Sequence, residues 1–265
     1  MTGSNGTSAR TIPRVDVLGV HVSATSLPRA AEEIAGWVQA DRREYVCVTG
    51  VHGVMECQED RDLLAIHNDS GLTTTDGMPL VWASRRAGVD DVTRVYGPDL
   101  MLEVCQQAAE QGWSSFFYGA AEGVPELLAD RLCARFPGLE VVGTHSPPYR
   151  PLTEGEMDEV GEMINDSGAD LVWVGLSTPK QERWMAEFRG RLDAPVLLGV
   201  GAAFDIHAGL LPQAPASLQR AGLEWAYRLA VEPRRLWRRY LKNNPRVVVS
   251  IVRRPPRVVP TQAPT

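Results

Sequence analysis

The sequence predicts an α/β protein with a Rossmann-like, mostly parallel sheet flanked by helices, followed by a helical, membrane-associating appendage. Three observations lead to this prediction. Short apolar runs that end in glycine or polar turns alternate with amphipathic helical stretches over residues 14–215. A chain of 265 residues that is 44% hydrophobic can bury a full core. Beyond residue 215, tryptophan, leucine and tyrosine are set among arginines in helical stretches.

The predicted elements follow one another as strand and then helix. Ser26 is the predicted cap of the first helix, whose apolar residues fall on one face. Repeated units of this size favour parallel strands with helices on both faces of the sheet. The predicted strands are residues 15–20, 45–49, 71–75, 115–118, 139–142, 171–174 and 196–200. The later predicted helices are residues 54–66, 98–109, 125–135 and 157–164, one that begins at Pro179, and 218–231 and 236–241.

The change in composition near residue 215 divides the chain. Residues 1–13 are predicted to be a disordered N-terminus, and residues 14–215 form the Rossmann-like domain. The basic amphipathic appendage covers residues 216–245, and residues 246–265 are a largely disordered tail in which 247–252 form either a short strand or a hydrophobic anchor. The polar, small first residues predict no signal peptide, and no apolar run has the length of a membrane span.

The net charge of −6 hides an asymmetry between the two ends of the chain. From Ala216 onward there are eleven Lys and Arg against two Glu, which gives +9, so the rest of the chain carries −15. A basic end on an acidic body indicates an anionic partner, namely nucleic acid, phospholipid or a phosphorylated substrate. The acidic body disfavours an extended nucleic-acid footprint. The alternative is that the C-terminal helices dock on the body with solvated arginines.

Neither the cysteines nor the acidic residues form a recognisable metal site. The four cysteines include no C-x-x-C pair, so reduced thiols in a cytoplasm are expected, and the histidines lack zinc spacing. Asp60-Arg61-Asp62 fits a D-x-D metal motif, but it falls inside a predicted helix, which favours an exposed helical face. Gly199-Val200-Gly201 resembles the start of a dinucleotide fingerprint, yet Phe204 replaces its third glycine. We therefore expect neither a metal nor an organic cofactor.

Glycine-rich or polar turns follow three of the predicted strands, at Gly119, Gly175 and Gly201. The carboxyl ends of parallel strands share one edge of a sheet, so these turns could together hold phosphates and a sugar. The turn after Gly175 leads into a helix with Pro179 and Gln181 in its first turn, where free amides favour an anion. The alternative is a well-capped helix start without a ligand.

Asp76 is the strongest candidate for a general base, because it follows three threonines at a strand end and precedes Gly77. A helix cap is the alternative role for such an aspartate. Asp99 and Asp205 are rival candidates, although Asp99 lies at a predicted helix start, where a carboxylate serves the helix dipole. Arg94 is either an anion or sugar contact or a surface arginine.

Five sequence blocks occur together and in a fixed order. They are Thr75-Asp-Gly-Met78, Arg94-Val-Tyr-Gly-Pro-Asp-Leu100, Gly175-Leu-Ser-Thr-Pro-Lys-Gln-Glu182, Gly199-Val-Gly-Ala-Ala-Phe-Asp205 and Gly222-Leu-Glu-Trp-Ala-Tyr-Arg-Leu229. With these blocks the chain resembles the WecG/TagA/CpsF glycosyltransferases, family 26, over residues 15–241. The resemblance implies an inverting transferase that moves an N-acetylmannosamine-type sugar from a UDP donor to an undecaprenyl-diphosphate-linked saccharide. It also implies a peripheral location at the cytoplasmic face of the cell membrane, in surface-polysaccharide biosynthesis.

The resemblance also implies roles for individual residues. The family's catalytic base matches Asp76, its active-site glutamine matches Gln181, and a sugar or phosphate contact matches Arg94. The C-terminal arginines that would neutralise the departing diphosphate match Arg228, Arg235 and Arg238. The substrate-binding set implied or predicted here is completed by Thr49, His52, Gly119, Gly175, Gly201 and Asp205.

The chain departs from the family pattern after its second predicted strand. Many members carry Thr-x-Asn there, whereas this chain has Thr49-Gly50-Val51-His52. Thr49 can still be matched, and His52 offers a substitute polar group. Because the asparagine is missing, a nonenzymatic nucleotide-sugar-binding protein that docks on anionic membranes is a second hypothesis. Whether the chain forms a homo-oligomer stays open.

Overall fold

A six-stranded parallel sheet lies at the centre of the protein in a computed structural model, which describes residues 11–260. The strands are β1 (Arg14–Val17), β2 (Val20–Ser23), β3 (Glu44–Thr49), β4 (Leu72–Thr75), β5 (Ser114–Gly119), β6 (Glu140–His145), β7 (Leu171–Gly175), β8 (Val196–Gly199) and β9 (Arg257–Val258). The order across the large sheet is β4-β3-β8-β7-β5-β6. The predicted mostly parallel α/β fold is therefore confirmed.

Helices cover both faces of this sheet. They are α1 (Leu27–Gln39), α2 (Val51–Cys57), α3 (Arg61–Asp69), α4 (Met78–Arg86), α5 (Gly97–Gln111), α6 (Val124–Arg135), α7 (Glu154–Asp166), α8 (Lys180–Phe188), α9 (Ala203–His207), α10 (Ala216–Arg220), α11 (Glu224–Val231) and α12 (Pro233–Arg253). Successive residues of a strand point to opposite faces, so Phe117 and Trp173 pack under α1, α5, α6 and α9, while Phe116 and Val172 pack under α7 and α8.

The first predicted strand, residues 15–20, is wrong in its boundaries and its partner. Residues 14–23 form an antiparallel hairpin of β1 and β2, with the turn at Leu18 and Gly19. Both turn residues have positive φ, 59° and 93°, and glycine adopts this conformation without steric cost. The hairpin pairs with β9 in a separate three-stranded sheet, so the parallel sheet begins at β3.

One helix prediction in the next segment is also wrong, and one helix was missed. The helix predicted over residues 54–66 is divided into α2 and α3, because Asp60 caps α3 by accepting the Leu63 amide at 3.0 Å. Asp60 also pairs with Arg183. Helix α4 was not predicted at all, since Asp76-Gly77-Met78-Pro79 has the composition of a turn. Pro79 lies in the first turn of α4, where its missing amide costs no hydrogen bond.

The C-terminal helices α10–α12 pack on the body of the protein. Gly222, with a φ of 70°, separates α10 from α11, so residues 218–231 are not one helix. Helix α12 continues through Pro245, and the boundary predicted at residue 245 falls inside it. Residues 247–252 are consequently helical and do not form the strand that was one alternative. Leu236 and Val247 are buried on the inner face of α12.

Several side chains fasten α12 to the first part of the chain. The Asn243 amide contacts His52 at 3.2 Å, and Arg246 pairs with Glu59 at 2.6 Å. After α12, β9 pairs with β1. Within the described residues no helix is both long and apolar enough to cross a membrane.

Candidate active site

A cavity of about 600 Å³ opens at the carboxyl ends of β3 and β4. These strands are neighbours at one edge of the parallel sheet, with Thr49 paired to Thr75. The turns after the two strands supply Gly50, His52 and Asp76 to the wall, and α4, α10, α11 and α12 supply most of the rest. The C-terminal helices therefore form one side of a cavity whose floor is a strand edge, the place where ligands bind in open α/β sheets.

Asp76 is half-buried and faces this cavity. Its amide donates to the Thr49 carbonyl at 3.0 Å, which fixes the backbone of the turn. Its Oδ1 accepts a long hydrogen bond of 3.4 Å from the amide of Gly97, the first residue of α5. The carboxylate is thus held in direction while still open to a ligand, as a general base requires.

Arg94 connects the Asp76 turn to the C-terminal helices. Its Nε donates to the Asp76 carbonyl at 2.6 Å, and its Nη1 donates to Gln219 Oε1 at 3.1 Å. Its Nη2 pairs with the Glu224 carboxylate, and the guanidinium lies 3.9 Å from the Tyr96 ring centroid. Burial raises the pKa of Glu224, while Arg94 acts to lower it. The predicted substrate contact therefore has its donors engaged by protein groups.

His52 and Arg228 both line the cavity. His52, the predicted substitute polar group, contacts Asn243 at 3.2 Å and Glu56 at 3.4 Å, so it joins α2 to α12. Arg228 projects from α11 and lies 3.9 Å from Glu232. It brings a positive charge to the cavity that holds Asp76.

The other two predicted arginines lie on α12. Arg238 is exposed and lies over the Trp237 ring at 5.2 Å, outside the cavity wall. Arg235 belongs to the same helix, but its side chain is outside the part of the chain that the structure describes. Of the predicted catalytic residues whose side chains the structure describes, Asp76 and Arg228 line the cavity together.

Gln181 and Thr49 lie behind the cavity wall. Gln181 is buried and its amide donates to the Gly199 carbonyl at 3.1 Å and to Glu182 Oε1 at 3.2 Å. Thr49 is buried, and its hydroxyl donates to the Cys47 carbonyl at 3.3 Å. Both side chains support the turns that form the wall.

Glu182 is a fully buried carboxylate that sequence reasoning did not select. It accepts hydrogen bonds from the Thr178 hydroxyl at 2.8 Å and from Gln181, and Thr178 itself lines the cavity. Burial raises the pKa of Glu182, opposed by His67 and by these hydrogen bonds. The sequence feature that could have drawn attention to Glu182 is its position in the Pro-Lys-Gln-Glu block.

The glycine turns lie along the same sheet edge but do not line the cavity. A Cβ at Gly119 would lie 2.7 Å from the Gly175 backbone, and one at Gly175 would lie 2.7 Å from the Phe204 ring. A Cβ at Gly201 would lie 3.2 Å from Gln181 Oε1. Glycine here allows neighbouring turns to pack against one another. Asp205, in α9, also lies outside the cavity wall.

Residues of α4 form a cavity wall that the sequence did not reveal. Met78, Trp82 and Arg86 line the cavity at intervals of four residues. That spacing, directly after Asp76, would have indicated one helical face beside this candidate base. Among the described residues, no three His, Cys, Asp or Glu side chains are grouped as metal ligands.

The model of the glycosyl transferase WecG/TagA/CpsF family matches residues 15–258. The chain belongs to this family. It is 32% identical over 189 residues to the N-acetylglucosaminyldiphosphoundecaprenol N-acetyl-beta-D-mannosaminyltransferase of Bacillus spizizenii strain W23, covering 71% of each chain. The protein of the same name from Bacillus subtilis strain 168 is 29% identical over 183 residues, or 69% of each chain. The predicted family membership, and with it a glycosyltransferase activity, is confirmed.

Proposed function

We propose that this WecG/TagA/CpsF protein transfers an N-acetylmannosamine-type sugar from a UDP donor to a polyprenyl-diphosphate-linked saccharide, with inversion at the anomeric carbon. The observation that carries the proposal is the pairing of Asp76 and Arg228 in one cavity at the strand ends. A carboxylate and a guanidinium are the groups that an acceptor hydroxyl and a departing diphosphate need. The names of the two Bacillus relatives support the sugar and the lipid-linked acceptor.

In the proposed reaction, Asp76 takes the proton of the acceptor hydroxyl as its oxygen attacks the anomeric carbon. The bond from that carbon to the β-phosphate oxygen breaks, and its electron pair leaves with UDP. Attack from the face opposite UDP inverts the anomeric centre. Arg228 would neutralise the diphosphate together with Arg235 and with Arg238, which movement of α12 would bring closer. Because arginines would carry this charge, we expect transfer to continue in the presence of a chelator.

The strand order supports a path for the donor. Along the carboxyl edge, the turn at Gly201 after β8 is next to the turn after β3, and the turns at Gly175 and Gly119 follow. Thr178 lines the cavity and directly follows Ser177, whose Cα would lie 3.7 Å from a Cβ at Gly201. The donor would enter the cavity beside the Thr178 turn, with Gln181 supporting that turn from behind through Glu182 and the sugar reaching toward Asp76.

The C-terminal helices would also bring the protein to the inner face of the membrane. Trp225, Trp237 and Leu241 expose 42%, 47% and 71% of their surface on a segment rich in arginine. Aromatic and arginine side chains together suit an anionic lipid surface. Sedimentation with phosphatidylglycerol vesicles, and not with phosphatidylcholine vesicles, is the expected result.

A transfer assay tests the enzymatic proposal. Purified protein would receive UDP-N-acetylmannosamine and a lipid-diphosphate-linked N-acetylglucosamine, with the product anomer assigned by NMR. We expect Asp76→Asn to lower kcat by about 100-fold or more, since general-base catalysis contributes about that much. Asp99→Asn, at the start of α5 outside the cavity wall, is the matched control and should retain activity. Binding of UDP-sugars without turnover across donors would instead support the nonenzymatic adaptor.

A further inference from the structure

Glu182 is a fully buried carboxyl group that takes no direct part in the proposed reaction. It lies in the first turn of α8. Its Oε1 accepts hydrogen bonds from the Thr178 hydroxyl at 2.8 Å and from the Gln181 amide at 3.2 Å. Its Oε2 is buried and has no hydrogen-bond partner within the described residues. A buried oxygen without a partner costs free energy, so a group that satisfies Oε2 is expected nearby.

His67 carries a second buried atom that lacks a partner. It lies on α3, which packs against α8, and its ring is fully buried. Its Nδ1 lies 2.9 Å from the Leu63 carbonyl, and because a carbonyl can only accept, Nδ1 carries the hydrogen. Nε2 of the neutral ring is then an acceptor, and it has no partner in the part of the chain that the structure describes.

Gly53, on α2, lies beside both His67 and Thr178. A Cβ at Gly53 would lie 3.6 Å from His67 Nε2 and 3.8 Å from the Thr178 methyl group. Glycine therefore leaves room beside the ring nitrogen, next to the cavity wall. One water molecule there would donate to Nε2 and accept from a protonated Glu182 Oε2, which gives both unpaired atoms a partner.

We propose that Glu182 is a positioning residue for Thr178 and that one bound water molecule joins Glu182 to His67. The Thr178 hydroxyl donates its hydrogen to Glu182, so Thr178 meets a ligand in the cavity as a hydrogen-bond acceptor or through its methyl group. The inference rests on the proposed function, in which the donor enters beside the Thr178 turn. The group that Thr178 recognises is then a hydroxyl or amide hydrogen of the donor.

This arrangement requires Glu182 to be a neutral acid. Burial raises its pKa, which favours the neutral form. The titratable groups that interact with Glu182 are His67 on α3, Cys47 on β3 and Cys57 on α2. Burial raises the pKa of both thiols, so they stay uncharged. Loss of the Glu182 proton would place a negative charge in a buried site and weaken the support of the Thr178 turn.

Infrared spectroscopy tests the state of Glu182 without turnover. At pH values above the ordinary pKa of 4.5, the unmodified protein should show the carbonyl-stretch band of a buried carboxylic acid, and Glu182→Gln should lack it. His67→Phe should shift this band, because the water loses the ring nitrogen to which it donates. His207→Phe is the matched control: this half-buried histidine contacts the Pro98 carbonyl at 2.9 Å, outside the cavity wall, and should leave the band unchanged.

Transfer kinetics test the effect on Thr178. Glu182→Met removes the hydrogen bonds at similar size and should raise KM for the UDP-sugar about tenfold, with KM for the lipid-linked acceptor unchanged. Glu182→Gln keeps an acceptor for Thr178 and a hydrogen for the water, so its donor KM should stay within about twofold of the unmodified value. In the unmodified protein the donor KM should rise at the pH at which the infrared band is lost, and in Glu182→Gln it should not.

Four results would overturn the inference. The acid band could be absent from the unmodified protein above pH 4.5, or His67→Phe could leave it unshifted. Glu182→Gln could raise the donor KM as much as Glu182→Met, which a packing role would produce, or the acceptor KM could rise as much as the donor KM. Thermal unfolding checks that each variant is folded. If Glu182→Met is not folded, the pH dependence of the unmodified protein and of Glu182→Gln decides.

Failure of the proposed function is a different result. The unmodified protein would then transfer no sugar, and the infrared comparison would still decide whether Glu182 is joined to His67.

Discussion

The carboxyl edge of the parallel sheet ends in two different ways. At β3 and β4 the turns are open and line a cavity with Gly50 and Asp76. At β5, β7 and β8 the turns are closed on one another, with Gly119 against Gly175 and Gly175 against Phe204. Glycine occurs at both ends of the edge, but it leaves room for a ligand at one and for a neighbouring backbone at the other. A glycine at a strand end therefore indicates that another group comes close to the backbone. Only the tertiary structure shows whether that group is a ligand or a neighbouring turn.

The largest effect is expected on the free energy of unfolding, when one glycine from each region is replaced by alanine. At Gly119, alanine would have a φ of +125° and a Cβ 2.7 Å from the Gly175 backbone. We expect Gly119→Ala to lower the free energy of unfolding by about 3 kcal/mol, since strain and overpacking add. At Gly50, with a φ of −105°, the new Cβ would lie 3.4 Å from Asp76 Oδ2. Urea denaturation of Gly50→Ala should show a change below about 1 kcal/mol.

Transfer activity should rank the two variants in the opposite order. In the soluble, folded fraction, Gly50→Ala should lose more activity than Gly119→Ala. Gly50→Ala places a methyl group against the Asp76 carboxylate, so its transfer rate should fall although it is folded. Near-normal transfer by Gly50→Ala would show that the open region tolerates a side chain beside Asp76, and the contrast between the two regions would fail.

The next largest effect is expected on kcat, from the ion pair that joins the C-terminal helices to the Asp76 turn. Arg94 and Glu224 are separated by 130 residues and form a half-buried ion pair between the Asp76 turn and α11. Either single alanine variant should lower kcat by roughly 10- to 100-fold, because the base and the helices lose their alignment. The double variant Arg94→Ala with Glu224→Ala should be no more than about threefold worse than the single variants, since one interaction is lost in each case.

A substrate-contact role for Arg94 would give a different result. In that case Arg94→Ala would chiefly raise KM for a substrate, and the two substitutions would act additively. Gln213→Ala is the control, because its 3.5 Å contact with Asp99 is exposed. Tryptic cleavage of the C-terminal helices should accelerate in the Glu224 variant and not in the control.

A smaller effect is expected at Glu182, which lies between the open and closed regions. Its raised pKa means that the folded protein retains a proton at pH values where the unfolded chain has lost it. This contribution to stability is fully present below the ordinary value of 4.5 and is lost as pH rises through the raised pKa. Glu182→Gln lacks it, so the stability of the variant relative to the unmodified protein should increase with pH. Urea denaturation from pH 5 to pH 8 measures this difference, and a constant difference would contradict the prediction.

The smallest effect is expected at an exposed attachment of α12. Arg246 and Glu59 pair at 2.6 Å, but their side chains are 43% and 46% exposed. Arg246→Gln should lower the free energy of unfolding by less than about 1 kcal/mol, because solvent screens such pairs. A loss well above 1 kcal/mol would mean that α12 depends on surface charge for its docking.

Local patterns in the sequence predicted much of the central fold. Apolar runs that end in glycine located the strands of the parallel sheet, and the Asp76 block located the end of β4. Pairing partners of the first strand were not predictable in this way, because the alternation of valines in residues 15–22 fits either one strand or a hairpin. The turn composition of residues 76–79 concealed the start of α4.

The composition of the cavity depended on contacts between distant segments. Arg94 was selected from its block, but its partners Gln219 and Glu224 come from helices more than a hundred residues away. Trp82 and Arg86 line the cavity only because the fold places α4 beside the C-terminal helices. Sequence patterns therefore selected the candidate carboxylate Asp76, while the shape of its surroundings required the tertiary structure.

The pairing of β9 with β1 has a mechanical consequence for the C-terminal helices. Val258 is in register with Val15, and the Val259 amide donates to the Arg14 carbonyl at 2.8 Å. At the other end of the helices, Glu224 is tied to Arg94. The segment that carries these helices is therefore attached at both ends, with further contacts of Asn243 and Arg246 between the two attachments. Attachment at both ends limits how far the helices can move as a unit. Cleavage of the chain between α12 and β9 should therefore increase their motion more than the loss of any single contact between the two attachments.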